Sequence, residues 1–200
     1  GDVNGDGYAD LIVGSTTWAN PTTGEGAAWL YLGSPTGVTN TVFIRYELDI
    51  SGGNMGESVS SAGDVNGDGY SDILVGLKLE NRVAIYHGGA YNIRATPSLT
   101  RYSGVSGFQL GNSAANAGDV NGDGYADVVV GAPLHDGTFT DAGQVLLFIG
   151  APGTGSHFGT PYRTFTGTQA NAQLGYAVHT AGDVDGDGYL DLVTGNKYEQ

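Results

Sequence analysis

The chain has 200 residues, no cysteine, 36 glycines and a formal charge of −14. Its length suffices for one sizeable core, and 40% hydrophobic residues with 12 tyrosines argue against disorder. Seven scattered Lys and Arg make nucleic acid a poor partner, no run is apolar enough to insert in a membrane, and a disulfide scaffold is excluded.

The chain opens on Asp2-Val-Asn-Gly-Asp-Gly-Tyr-Ala-Asp10, followed by the apolar run Leu11-Ile-Val and Gly14. A second extended stretch, residues 27–33, ends in aromatic-x-Gly at Gly33, and a more polar one covers 43–50. Met55-Gly-Glu-Ser-Val-Ser-Ser-Ala then leads into Asp64-Val-Asn-Gly-Asp-Gly-Tyr-Ser-Asp72, and the series repeats with Ile73-Leu-Val, 82–88 and 99–103. The third unit runs from Leu110-Gly through Asp119-Val-Asn-Gly-Asp-Gly-Tyr-Ala-Asp127 to Val128-Val-Val, 144–150 and 162–166. The fourth has Leu174-Gly, Asp183-Val-Asp-Gly-Asp-Gly-Tyr-Leu-Asp191 and Leu192-Val-Thr, and then the sequence stops.

The acidic nonapeptides recur 62, 55 and 64 residues apart, a period that means one supersecondary unit per repeat. The apolar stretches are short, β-branched or aromatic, and bounded by Gly, Pro, Asn and Ser, so they read as strands, with no 3.6-residue helical period. Four strands per repeat predict an all-β fold, a β-propeller of four-stranded blades. The strand count is 3, 4, 4 and 2, and the repeats divide as 1–62, 63–117, 118–181 and a partial 182–200 within one propeller region, 1–200. Neither terminal blade is complete, so the expectation is a fragment or processed product whose ring is completed by flanking sequence or another chain.

With the first aspartate as position 1, oxygen-bearing side chains fall at positions 1, 3, 5 and 9, and a backbone carbonyl at 7 can join them. The ligand sets are Asp2, Asn4, Asp6, Tyr8 and Asp10; Asp64, Asn66, Asp68, Tyr70 and Asp72; Asp119, Asn121, Asp123, Tyr125 and Asp127; and Asp183, Asp185, Asp187, Tyr189 and Asp191. Glycine at position 6 permits the sharp turn. All-oxygen ligands with several carboxylates suit Ca²⁺, up to four ions, better than Mg²⁺, and His or Cys for zinc are missing from the loops. Position 12 is Val13, Val75, Val130 or Thr194 rather than Glu, which excludes an EF-hand. A plain Asp/Gly turn explains one copy but not four in the same context. Thirteen of the 21 acids lie in these loops, and four Ca²⁺ would bring the formal charge from −14 to −6.

These residues resemble the FG-GAP repeat of integrin α-subunit propellers and their bacterial relatives. That pattern runs Phe-Gly, Ala-Gly-Asp-x-Asn/Asp-x-Asp-Gly-x-x-Asp, an apolar strand and Gly-Ala-Pro. Met55-Gly56, Leu110-Gly111 and Leu174-Gly175 stand for Phe-Gly, and only Gly131-Ala132-Pro133 keeps the last element. The resemblance implies a propeller, seven-bladed in its usual form, with calcium between the first and second strands of a blade.

In an up-and-down blade the calcium loops share one face, and the 2–3 and 4–1 connections share the other. The latter face carries Trp18, Asn20, His135, Asp136, Phe139 and Asp141 on two long loops. Trp18, Asn20, Asp136 and Phe139 are candidate ligand-binding residues for a protein or glycan, set against the plainer reading that Trp18 and Phe139 pack under their own loops. Three functions stay open: a non-catalytic extracellular adhesion, recognition or structural module, a carbohydrate-binding propeller, and an accessory domain of a secreted enzyme. No nucleophile elbow, Walker loop or His-Glu-x-x-His is found, and His87, His135, His157 and His179 share no spacing, so no catalytic residue is assigned. Calcium favours secretion or the cell surface.

Overall fold

The computed structural model describes residues 1–91, 93–103, 107–153 and 156–198. Parts of the 104–109 connection and of the 182–200 repeat lie outside these residues. Among these residues thirteen strands form four antiparallel sheets. The first comprises β1 (Leu11–Ser15), β2 (Ala27–Tyr31) and β3 (Ile44–Tyr46), and the second β4 (Met55–Gly63), β5 (Asp72–Leu77), β6 (Arg82–Tyr86) and β7 (Leu99–Tyr102). The third comprises β8 (Ser113–Gly118), β9 (Asp127–Ala132), β10 (Gln144–Phe148) and β11 (Arg163–Thr166), and β12 (Ala177–Gly182) pairs with β13 (Asp191–Gly195). The predicted distribution of 3, 4, 4 and 2 strands is therefore found. The sheets have the form of propeller blades.

Two short 3-10 turns, Lys78–Glu80 and Ser156–Gly159, were not expected. The first closes on Asn81, whose left-handed backbone (φ 51°) occupies the place that Gly26 (φ 74°) and Gly143 (φ 82°) take before β2 and β10. The third strand of the first sheet is also shorter than residues 43–50 suggest, ending at Tyr46.

Each sheet packs its faces on its neighbours in chain order. One core joins the first two sheets through Leu30, Tyr46, Met55, Val75 and Leu77. The next joins the second and third through Leu74, Val83, Leu110, Val130 and Phe148. Val129, Val145, Leu147 and Val178 continue it to the fourth. Successive side chains of a strand point to opposite faces, so Ile73 and Val75 serve one core and Leu74 the other. This is why β5 and β9 are buried along their whole length and read as continuous apolar runs rather than alternating ones. The first strands β4, β8 and β12 touch in succession and form the row from which the sheets extend.

Glycine pairs set the approach between sheets. A Cβ on Gly76 would strike the carbonyl oxygen of Gly111, and one on Gly131 would strike that of Gly175; Gly14 and Gly56 form the same pair. Ser58 Oγ donates to the Gly111 carbonyl at 3.0 Å and Ser113 Oγ to that of Gly175 at 2.8 Å, fastening the same seams.

Candidate metal centre

In each acidic loop the carboxylate at position 1 organises the turn. Asp64 Oδ1 accepts N–H bonds from Gly67 (2.7 Å) and Asp68 (3.0 Å), and Oδ2 accepts one from Gly69 (2.8 Å). Asp2, Asp119 and Asp183 do the same in their loops. Position 3 accepts from the position 5 N–H, and position 5 from the position 7 N–H, as at Asn66 and Asp68. The position 6 glycines all have φ between 88° and 93°, a left-handed bend open to glycine at no steric cost.

The side chains at positions 1, 3 and 5 are thereby drawn together. In the fourth loop, oxygens of Asp183, Asp185 and Asp187 lie within 4.8 Å of one another, all exposed. In the other three loops Asn4, Asn66 and Asn121 stand at position 3, and each donates Nδ2 to the position 5 carboxylate at 2.8–2.9 Å, relieving the repulsion that Asp185 leaves in place. Among the described residues neither ion pair involves these loops. An all-oxygen, carboxylate-rich set without a protein cation fits a hard divalent ion.

The carboxylate at position 9 is placed differently. Asp72 Oδ2 accepts the Val65 N–H at 3.0 Å and Oδ1 the Gly88 N–H at 2.9 Å. Asp10 bridges Val3 and Gly33, and Asp127 bridges Val120 and Gly150, at 2.7–2.9 Å. The glycine of each aromatic-x-Gly is thus a partner of the acidic loop, held close enough that a Cβ would strike the position 8 carbonyl. Asp72 and Asp127 are fully buried. Burial raises the Asp72 carboxyl to about 7 and that of Asp127 to about 6, against the lowering effect of their two N–H bonds; the neighbouring loop aspartates raise them further. Among the described residues Asp191 accepts the bond from Val184 at 2.8 Å, and β13 is paired with β12 alone.

The tyrosine at position 7 has a role that its backbone carbonyl alone did not suggest. Tyr70 lies against Gly5, Tyr125 against Gly67 and Tyr189 against Gly122, each ring filling the space a Cβ would need on the position 4 glycine of the preceding loop. Backbone bonds follow the same path, from Ser71 N to the Asp2 carbonyl at 2.9 Å and from Ala126 N to that of Asp64 at 3.0 Å. The loops are thus linked in a row on one face, as the strand connectivity requires. Tyr125→Ala is expected to destabilise the metal-free protein by about 2 kcal/mol, below the range for a fully buried ring. Tyr8, which is exposed and meets no position 4 glycine among the described residues, should on replacement by Ala change the denaturation midpoint much less.

On the opposite face the four candidate ligand residues do not converge. Trp18 and Asn20 follow β1, whereas Asp136 and Phe139 follow β9, two sheets away. Trp18 meets Trp29 edge to face at 5.2 Å between centroids, and Arg45 lies 5.6 Å from its ring. The backbone N–H of Asn20 donates to the buried Glu25 at 2.7 Å, and Asp136 accepts from Asp141 N at 2.8 Å. Phe139 is 42% exposed.

Antiparallel four-stranded blades, an acidic nonapeptide at the first bend of each and paired glycines at each seam define the FG-GAP repeat. Residues 2–75 match the model of the FG-GAP-like repeat, and residues 110–148 and 174–200 match that of the FG-GAP repeat, so the chain belongs to this family. It is 33% identical over 147 residues to integrin alpha-4 of Xenopus laevis, covering 68% of this chain and 14% of that protein. Integrin alpha-5 of Xenopus laevis is 31% identical over 178 residues, covering 79% and 16%, and integrin alpha-11 of Homo sapiens 32% over 155 residues, covering 72% and 12%. The matched stretch is thus a small part of the curated relatives. No helix among the described residues is long and apolar enough to cross a membrane.

Proposed function

We propose that the chain is a non-catalytic, extracellular, calcium-stabilised propeller segment that serves adhesion or recognition in a larger surface or secreted protein. The observation that carries the metal assignment is the convergence of the Asp183, Asp185 and Asp187 carboxylates in the fourth loop, with no cationic side chain paired to them among the described residues. Three carboxylates within 4.8 Å repel unless protonated or bound to a cation. The residues that would hold Ca²⁺ are those at positions 1, 3, 5 and 9 with the carbonyl at 7. Each oxygen of Asp72 accepts a single N–H in the structure, which leaves a lone pair for the ion. The calcium is structural: it ties the bend between the first and second strands into a fixed corner. Flanking sequence or another chain completes the ring.

The partner, a protein or a glycan, is assigned to the face opposite the calcium row. Resemblance to integrin α-subunits supports a protein partner. The carbohydrate reading relied on Trp18 as a platform, and the packing of that ring on Trp29 and Arg45 weakens it.

Chelation tests the metal. A site held at 100 times its dissociation constant stabilises the fold by about 2.7 kcal/mol, so EDTA should lower the melting temperature and calcium should restore it. Unchanged melting and unchanged resistance to proteolysis would refute calcium binding. Asp6→Ala is expected to remove one ion from the calorimetric stoichiometry and leave the others, because blades contact only their neighbours. Adhesion of cells to the immobilised, calcium-loaded chain, lost on chelation, is the expected result for the recognition role.

A further inference from the structure

The seams between consecutive sheets are built on one plan but filled differently. Across the first sheet, Gly14 pairs with Ala28 and Ala28 with Tyr46; across the second, Gly76 pairs with Val83 and Val83 with Arg101. Arg101 therefore stands where Tyr46 stands, and Ser103, two residues on, where Leu48 does. On the facing sheet Ala132, after Gly131, takes the place of Leu77, after Gly76. At the first seam Tyr46 is fully buried on Tyr86, with ring centroids 4.4 Å apart, and packs with Leu48 and Leu77 into a closed core. At the second seam the smaller or charged residues leave a cavity of about 110 Å³. Leu146, in place of Ala84, fills only part of the difference.

The cavity opens on the face away from the acidic loops, where β7 ends and β8 and β10 begin. Leu110, Ala132 and Leu146 give it an apolar floor, while Arg101, Ser103 and Gln144 bring polar groups. Its wall is the His135 ring packed at a tilt of 58° against Phe108, with centroids 4.6 Å apart. Arg101 Nη1 donates to the Gly159 carbonyl at 2.6 Å, but its buried Nε has no hydrogen-bond partner, nor has Nδ1 of His135. Burial lowers the His135 pKa and disfavours its charge, despite the opposing effect of nearby Asp136. Among the described residues no acid lines the cavity and Arg101 makes no ion pair.

We propose that this cavity is a docking pocket for the carboxylate side chain of a partner protein, with the Arg101 guanidinium as its counter-charge. A guanidinium at the edge of a partly dry, otherwise uncharged site matches a carboxylate in geometry and charge. The volume selects the size. At about 110 Å³ the space is smaller than the ~150 Å³ cavity that takes up benzene, so it does not enclose a hexose, whereas the methylene and carboxylate of an acidic side chain fit. The apolar floor receives the methylene, and Ser103 and Gln144 lie beside the carboxylate.

This inference rests on the reading that the face opposite the acidic loops receives a partner, and it names the chemical group received. The test uses the calcium-loaded full chain and two probes, N-acetyl-aspartate methylamide and its neutral isostere N-acetyl-asparagine methylamide. Titration is followed by the NMR signals of the Arg101 side-chain N–H and the Gln144 amide. The acid is expected to give saturable shifts, and the amide to bind at least about tenfold more weakly, as expected when a charged partner is lost. Arg101→Gln should abolish saturation. Ala132→Leu, which installs the residue found at the closed seam, should do so while keeping the melting temperature. Equal responses to acid and amide, saturation retained in Arg101→Gln, or no saturable shift in the unaltered chain would each overturn the proposal. If neither variant folds, the acid and amide arms on the unaltered chain still decide. Failure here leaves the adhesion result untouched, and failure of adhesion leaves the pocket's response to the acid standing.

Discussion

Asp72→Ala, measured in EDTA so that no metal contributes, is expected to lower stability by about 2–5 kcal/mol, since it leaves two buried backbone N–H groups without acceptors at roughly 1–3 kcal/mol each. These are Val65 N and Gly88 N, now 3.0 and 2.9 Å from the carboxylate. Asp127→Ala should behave alike through Val120 and Gly150. Asp191→Ala is the internal comparison: its bond to Val184 is exposed, and its removal should cost less than about 1 kcal/mol. Urea denaturation of the three variants separates the roles. Equal losses for Asp72 and Asp191 would show that position 9 is no more than a metal ligand.

The same burial gives the metal-free protein a pH dependence. Folded Asp72 retains its proton up to about 7, whereas the unfolded chain releases it near the ordinary aspartate value of 3.8. Between these values the folded state binds more protons than the unfolded state, so stability falls as pH rises through the window and levels above it. The urea midpoint in EDTA is expected to decline from pH 4 to pH 7, and Asp72→Asn should flatten the decline.

The motif, the strand count and the face of the acidic loops were legible because they depend on local chemistry. Gly7, Gly69, Gly124 and Gly188 need a left-handed bend, and runs such as Val128-Val-Val mark strands buried on both faces. The second function of Asp72 was not legible, because its partner Gly88 lies 16 residues away, and no local pattern shows which N–H a strand end brings to a loop. The same limit hid the tyrosine contacts: Tyr125 meets Gly67 across a sheet boundary, and their periodicity was visible only as composition. Repetition does carry a usable signal. Comparing equivalent positions exposes Arg101 against Tyr46, a difference that becomes a cavity only once the register is known. Trp18 shows the converse, since a tryptophan on a long loop suggests a binding platform until Trp29 is found against it.

Gly76→Ala and Gly131→Ala are expected to cause a larger loss than their single added methyl group suggests. In each case the new Cβ meets a backbone carbonyl, Gly111 or Gly175, just before the first strand of the next sheet. A flexible side chain could swing aside, but this carbonyl is fixed by the seam itself: Ser58 and Ser113 bond to it, and Gly111 N donates to the Gly131 carbonyl at 3.1 Å. The sheets must therefore separate, opening the core on both sides of the contact. Overpacking commonly costs about 1–3 kcal/mol, and the rigid obstacle places these variants at about 3 kcal/mol or above. Gly195 occupies the corresponding place in β13, but among the described residues a Cβ there meets only Ala177 Cβ at an ordinary 3.8 Å. Gly195→Ala should thus be neutral, or stabilising by about 0.5 kcal/mol through lost chain entropy. This contrast separates the two halves of the Phe-Gly signature. The aromatic is replaced by Met55, Leu110 and Leu174 without loss of the fold, whereas the glycine is kept each time, at φ of 84–89° and against a second glycine. If Gly76→Ala and Gly195→Ala melted alike, close backbone approach would not be what holds the glycine in place. A selective loss at Gly76 and Gly131 would show that the glycine pair, and not the aromatic residue, sets the spacing of the blades.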